Sequence, residues 1–414
     1  MTTSPCAPAH PHVIVALCVL NHIALSGARA ALALQALRLH TPAVGLGLIL
    51  APFALTATLA ALPLGRLVDR IGARVPTLAG MAATTLALAL SAWRPALAVL
   101  AGAAAVIGLA YTASLVALQS ELARDRGERE RAAGFAAFAV GTAASGGLGP
   151  FIAGQCMAFA NARAAFAVLA LVSFAAGCGA AATAPRLLAR RGGATNAQPA
   201  LFTRATVAGL VGLRRLVLAD LLLSFAWNAN GVVVPWAGQR LHWPPDTVGN
   251  LLGCFGIAVM LVRALPGALR ARAGDWGAIA CALAISGVVL ALLPVASAMP
   301  APYVLEALLG CGLGGSLPSV LALVERRTPT GRRAEVLGLR QTVLGLGATT
   351  LPTALGMLVS AAGLTAALMG FGAALLAAGA VIAPRVSGRR PASARPTTCP
   401  AGTRPRDGGR RCPR

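Results

Sequence analysis

The chain has 414 residues, 57% of them hydrophobic and only 11% charged, with a formal net charge of +23, and its mean hydropathy is +0.75. Soluble domains carry about 25% charged residues, so the composition excludes a water-soluble globular protein and puts most of the chain in lipid. All 35 basic residues are arginine, and their placement, treated after the spans, argues against nucleic-acid binding.

An apolar segment of about 20 residues crosses a bilayer as a helix, because unpaired backbone groups are too costly in hydrocarbon. Twelve such segments are predicted: 13–36, 43–64, 75–93, 96–119, 132–155, 162–184, 216–236, 247–266, 276–297, 302–324, 336–359 and 363–384. The first has no basic region before it and is too long for a signal peptide, so it is expected to stay as a helix. It carries Asn21 and His22 near its middle and Arg29 further along.

Between the second and third spans stands Gly65-Arg66-Leu67-Val68-Asp69-Arg70-Ile71-Gly72-Ala73-Arg74. A tight, charged turn between two membrane-length segments is unusual. It returns 202 positions later as Gly267-Ala268-Leu269-Arg270-Ala271-Arg272-Ala273-Gly274. Other echoes fall at nearby offsets: Val44-Gly45 with Val248-Gly249, Gly108-Leu109 with Gly312-Leu313, Glu121 with Glu325, Gly134 with Gly338, and Pro150 and Gly154 with Pro352 and Gly356. An ordered set of matches predicts two like halves. An even number of spans in each half makes the halves parallel, related by an axis along the membrane normal. The predicted divisions are a first bundle at 1–185, a polar linker at 186–205, a second bundle at 206–385, and an Arg/Pro-rich tail at 386–414 with too few large apolar residues to build a core.

The loop Gly65-x-Leu67-x-Asp69-Arg70-x-Gly72-x-Arg74 resembles the loop signature of the major facilitator superfamily, at the place that family has it. The resemblance implies an all-α membrane protein with two six-helix bundles. It also implies that Gly65, Asp69, Arg70, Gly72 and Arg74 form a conformational latch, with Asp69 meeting the eleventh helix in the outward-facing state. Elementary electrostatics agrees, since a carboxylate is stabilised near a helix N-terminus and beside guanidinium groups. The plainer alternative is a topological loop with a local Asp–Arg pair. Ala271 replaces the acid in the second copy, so the latch is expected only at the first junction.

Span five contains Ser145-Gly146-Gly147-Leu148-Gly149-Pro150-Phe151-Ile152-Ala153-Gly154. It resembles the Gly-Pro-x-x-Gly-Gly signature of exporting, antiporter-like members, with Ser145 and Ala153 at expected glycines. The alternative reading of Gly149, Pro150 and Gly154 is close helix packing with a kink. Such exporters often carry an arginine in span four, which Ala101-Gly102-Ala103-Ala104 lacks.

Ionisable groups inside spans are functional candidates by default. Arg29 and Glu306 lie outward of the midplane in spans one and ten, either pairing, holding a substrate, or reaching water. Asp220, Arg263 and Arg340 lie near the cytoplasmic ends of spans seven, eight and eleven and are expected to form a charge network. Asn21, His22, Tyr111, Trp227, Asn228 and Asn230 lie near the midplane, where transport sites occur, and His22 is a candidate proton carrier or a helix–helix hydrogen bonder. Gly310-Cys311-Gly312-Leu313-Gly314-Gly315 lies inside a span with no strand before it, which excludes a dinucleotide loop. The nine cysteines show no metal-ligand spacing.

With the N-terminus inside, the external loops hold only Arg38, Arg94, Arg163 and Arg240 of the 35 arginines; Arg29, Arg263 and Arg340 lie in spans, and the other 28 are cytoplasmic. This positive-inside asymmetry places both termini in the cytoplasm and accounts for the charge without nucleic acid. The expected function is a monomeric secondary transporter of a small organic solute in the cell membrane, most simply a bacterial inner membrane, that is neither an enzyme nor a holder of a cofactor or metal. Proton-coupled efflux is the first expectation. Uptake of a small metabolite or organic anion is the alternative, favoured by Arg29, Arg263 and Arg340.

Overall fold

A computed structural model describes residues 11–123, 127–183, 213–265, 268–327 and 333–383. The predicted linker at 186–205 and tail at 386–414 lie outside the described residues. Twelve helices in the described residues are long and apolar enough to cross a membrane. We number them α1 (Pro11–Arg38), α2 (Ala43–Ile71), α3 (Arg74–Trp93), α4 (Leu97–Ala123), α5 (Glu128–Phe159), α6 (Ala162–Thr183), α7 (Arg214–Arg240), α8 (Pro245–Ala264), α9 (Ala268–Leu292), α10 (Ala301–Arg327), α11 (Arg333–Ala362) and α12 (Leu364–Ile382). A short 3₁₀ turn, Leu293–Val295, follows α9. We call the end of the bundle where α1 begins the near end and the other the far end.

The packing repeats. In the first six helices α1 packs on α5, α4 on both α2 and α3, and α3 on α6; in the second six α7 packs on α11, α10 on both α8 and α9, and α9 on α12. Across the halves α5 lies along α8 and α2 along α11, with α1 touching α7. A bundle of this kind gains little from hydrophobicity between helices, since lipid is equally apolar, and so relies on small residues that let backbones approach.

The turns repeat as well. Gly72 (φ 81°) ends α2, its N–H bonding to the Val68 carbonyl at 2.8 Å, and Gly274 (φ 69°) breaks α9 at the corresponding position. Both need the left-handed region that glycine enters without strain. At the far end His40 (φ 54°) and His242 (φ 55°) are the two non-glycine residues of positive φ among the described residues. They sit in the segments Arg38-Leu39-His40-Thr41-Pro42 and Arg240-Leu241-His242-Trp243-Pro244. In each, the residue after histidine bonds back five positions, Thr41 to Ala36 at 3.1 Å and Trp243 to Gly238 at 2.8 Å. This closes the helix as a Schellman-type cap, and the following proline stops it.

Backbone contacts correct part of the repeat register. The carbonyl that a Cβ on Gly249 would meet, at 2.8 Å, is Pro150, and for Gly47 it is Pro352 at 2.5 Å. Likewise Gly310 and Gly108 face the carbonyls of Phe255 and Phe53. Gly249 therefore corresponds to Gly47 rather than Gly45, and Gly108 to Gly310 rather than Gly312. The offset of 202 that the charged loops share runs through the membrane. Identity of small residues misplaced it by two because alanine and glycine recur so often here.

Candidate functional site

The halves are closed on each other from mid-membrane to the far end. Along α5 and α8 the approach is backbone on backbone. A Cβ on Gly154 would lie 2.6 Å from the Pro245 carbonyl and 2.7 Å from the Gly249 Cα, and Gly147 and Gly256 are mutually in contact. The pseudo-symmetric pair, α2 with α11, closes the same way where Gly356 meets Ala43. A side-chain hydrogen bond, Gln155 Nε2 to Asn250 Oδ1 at 2.8 Å, crosses between the halves beside these glycines. Arg38 donates to the Met157 carbonyl at 3.2 Å and Arg240 to the Thr365 hydroxyl, tying the far-end turns to α5 and α12. Gly149 packs against α1, where a Cβ would lie 2.6 Å from the Ile23 carbonyl. Close packing thus accounts for Gly147, Gly149 and Gly154 of span five.

Below this seal lies a cavity of about 140 Å³ between α1, α2, α5, α7 and α8. His22, Ser26 and Arg29 reach it from α1, Gly146 and Pro150 from α5, and Trp227, Asn228 and Asn230 from α7; Leu252 and Phe255 of α8 complete a greasy side. The sequence-predicted midplane residues therefore converge, with two exceptions. Tyr111 packs behind His22, ring centroids 5.7 Å apart, and is not in the cavity wall. Asn21 is buried within the bundle with its Oδ1 unpartnered.

Each charged group has its own arrangement. The Arg29 guanidinium hydrogen-bonds the Asn228 Oδ1 at a long 3.4 Å and lies 6.0 Å from the Phe53 ring centre. Glu306 is 0% exposed, and its Oε2 accepts from Asn230 Nδ2 at 2.9 Å while Oε1 has no hydrogen-bond partner. Arg29 and Glu306 thus do not pair; neighbouring asparagines on α7 stand between them. Asp220 and Arg340 do pair: Nη2 donates a hydrogen bond to Oδ1 at 2.9 Å, and Nε lies 2.6 Å from Oδ2 as an ion contact. Arg263 stays out of that pair, correcting the expected three-member network. It donates to the Ala139 carbonyl at 3.3 Å and lies over the Trp227 ring at 5.5 Å, where a guanidinium gains from the π face.

His22 and Ser145 are joined at 2.7 Å, Nδ1 to Oγ, and Ser26 donates to the Ser145 carbonyl at 2.8 Å. Ser145, read from sequence only as a departure from glycine, is the residue that orients the histidine. At the near end Asp69, Arg70 and Arg74 are exposed, and no ion pair or side-chain hydrogen bond joins Asp69 to another described residue. The second half has an acid of its own beside Gly274: Asp275 pairs with Arg326 at 3.2 Å. Among the described residues no group of three or more His, Cys, Asp or Glu is placed to hold a metal ion.

Comparison with known proteins fits this architecture. The family model of the Major Facilitator Superfamily matches residues 14–215 and again 216–406. The fold is similar to that of the nucleoside transporter NupG, with a TM-score of 0.71 and 12% identity over 90% of this chain and 98% of that one. It is also similar to that of the human organic anion transporter MFSD10 (TETRAN), with a TM-score of 0.63 and 17% identity over 90% of this chain and 100% of that one. With its paired helix packing and a central cavity between the halves, this chain belongs to the Major Facilitator Superfamily and is a multi-pass membrane transporter of small solutes.

Proposed function

We propose that the chain is a proton-coupled secondary carrier that moves one small organic solute by rocking its two bundles, about 1–185 and 206–385, around the central cavity. The observation that carries this reading is the glycine-lined α5–α8 seal on the far side of a central cavity, since alternating access requires closure on one face at a time. The arginine asymmetry supports cytoplasmic termini, which makes the near end cytoplasmic and the far end external, in what we take to be a bacterial inner membrane. No second copy is needed to complete the cavity, and the carrier acts as a monomer.

The latch follows from that assignment. A far-end seal corresponds to an inward-facing state, in which Asp69 has released its outward-state partners. Glu306 is the coupling carboxyl: a proton gained or lost there changes the charge one asparagine away from the cavity. His22, held by Ser145, orients the cavity wall.

Export in exchange for protons is the direction suggested by the span-five sequence, although its glycines serve a packing role that a carrier of either direction needs. Uptake of a small metabolite or organic anion is the second reading. It is favoured by Arg29, which has no acidic partner among the described residues, and by the name of one fold neighbour, an organic anion transporter. Flux in vesicles with an imposed pH gradient tests the pair: solute accumulating inside right-side-out vesicles under an inward proton gradient overturns export by proton exchange.

A further inference from the structure

The cavity has an unbalanced charge. Its wall contains one arginine, Arg29, and no aspartate or glutamate. The long bond to Asn228 leaves the guanidinium mostly unsatisfied. An arginine inside a span costs about 2.5–3.5 kcal/mol on insertion scales and is otherwise paired or functional. Among the described residues the two buried acids of the spans are both occupied: Asp220 by Arg340, and Glu306 by Asn230 on the far side of α7 from Arg29. A second guanidinium, Arg263, lies over Trp227 and so adds positive potential to the same wall.

Beside the charge is an aromatic corner. Trp227 and Phe255 meet edge to face with centroids 5.1 Å apart, and both line the cavity together with Leu50 and Leu252. Gly146 and Gly256 also line the cavity and contribute no side chain to its wall. The volume, about 140 Å³, is well below the roughly 300–1,000 Å³ of pockets for drug-sized ligands.

We propose that the cavity binds a small organic monoanion, a carboxylate with a single flat apolar ring, its carboxylate on Arg29 and its ring against Trp227 and Phe255. One freely available guanidinium matches one carboxylate in the fork geometry that makes such pairs strong. A polyanion would need a second free donor, whereas Arg263 is already engaged by the Ala139 carbonyl. A cation would meet the unbalanced charge head on. The proposal rests on reading the cavity as the transport site but does not depend on the direction of transport.

Binding to the purified full-length chain decides it, using benzoate, its neutral analogue benzamide, benzylammonium and acetate, with thermal unfolding and calorimetry as readouts. Benzoate is expected to raise the unfolding temperature, as any ligand of the folded state does. Acetate binds more weakly, and the neutral and cationic analogues do not bind measurably. Arg29→Gln lowers benzoate affinity about tenfold to a hundredfold, the usual effect of losing a charge-assisted hydrogen bond, while Trp227→Ala weakens benzoate more than acetate. Equal binding of benzamide, or unchanged benzoate affinity in Arg29→Gln, overturns the proposal. Should Arg29→Gln fail to fold, the four-ligand panel on the unaltered chain still decides. Cysteine accessibility at the two ends is read in parallel. A chain that alternates but binds none of the carboxylates refutes the substrate class alone, whereas a chain that never alternates refutes the transporter reading.

Discussion

A single methyl group on Gly249 tests whether the α5–α8 seal is a state of a working carrier. In Gly249→Ala the new Cβ would stand 2.8 Å from the Pro150 carbonyl and 2.9 Å from the Gly154 Cα, whereas ordinary contacts begin at 3.4 Å. Both neighbours are backbone, so no side chain can swing aside, and the helices must separate by about half an ångström. A gap of that size forfeits a quarter to a half of each dispersion contact, and overpacking of this kind costs about 1–3 kcal/mol. The gain in helix propensity from alanine is present in both conformations and cancels. The far-closed state should therefore lose about 5–150-fold in population relative to the far-open state. The assay is the rate at which a membrane-impermeant maleimide reaches a cysteine placed at cavity residue Leu252 from the far side, in a background without the native cysteines. Gly249→Ala should raise that rate several-fold or more. Gly102→Ala, where a Cβ meets nothing within 4 Å, should leave it unchanged. An unchanged rate in Gly249→Ala refutes the reasoning, as does an equal rise in Gly102→Ala.

Further outcomes follow from the charged groups. Arg340→Leu leaves Asp220 buried and unpaired and should destabilise the purified chain by about 3–5 kcal/mol, while adding Asp220→Leu should recover most of the loss; denaturation in detergent measures both. Asp69→Asn should leave the far-closed state intact but weaken the opposite state by about 1–3 kcal/mol, the usual size of a coupling energy. Maleimide reaction at Leu252 from the far side should then slow, and a faster reaction contradicts the latch. Glu306→Gln keeps the acceptor for Asn230 but removes the titrating proton, so flux should lose its response to an imposed pH gradient while exchange of solute at equal pH persists; a full response in the variant excludes Glu306 as the coupling group.

Much of this molecule is legible in its sequence because the bilayer restricts the choices. Twelve apolar runs could only be helices, and a charged glycine loop repeated 202 positions apart could only mean two like halves. Candidate polar residues were found for the same reason: His22, Arg29, Trp227, Asn228 and Asn230 stood out against alanine and leucine, and they meet in one cavity. Pairing was not legible. Depth along a helix does not give its rotation, so depth alone groups Arg263 with Asp220 although it faces Trp227 on the cavity side. Equal depth leaves a pairing of Glu306 with Arg29 open, whereas α7 separates them. Gln155 and Asn250 do carry a signal, two amides near the ends of facing spans. So do the repeated Arg-Leu-His-x-Pro turns, four identities in five positions, which fix the repeat register more firmly than any glycine.

The most direct test of rocking bundles is a pair of spin-label distances on the purified chain, one between Ile71 of α2 and Arg327 of α10 at the near end, the other between Trp93 of α3 and Leu292 of α9 at the far end. All four residues are exposed at helix ends and sit in opposite halves. Shifting the equilibrium with Gly249→Ala or with a bound carboxylate should shorten one distance as it lengthens the other. Two distances that stay fixed, or that change in the same direction, contradict alternating access in this chain.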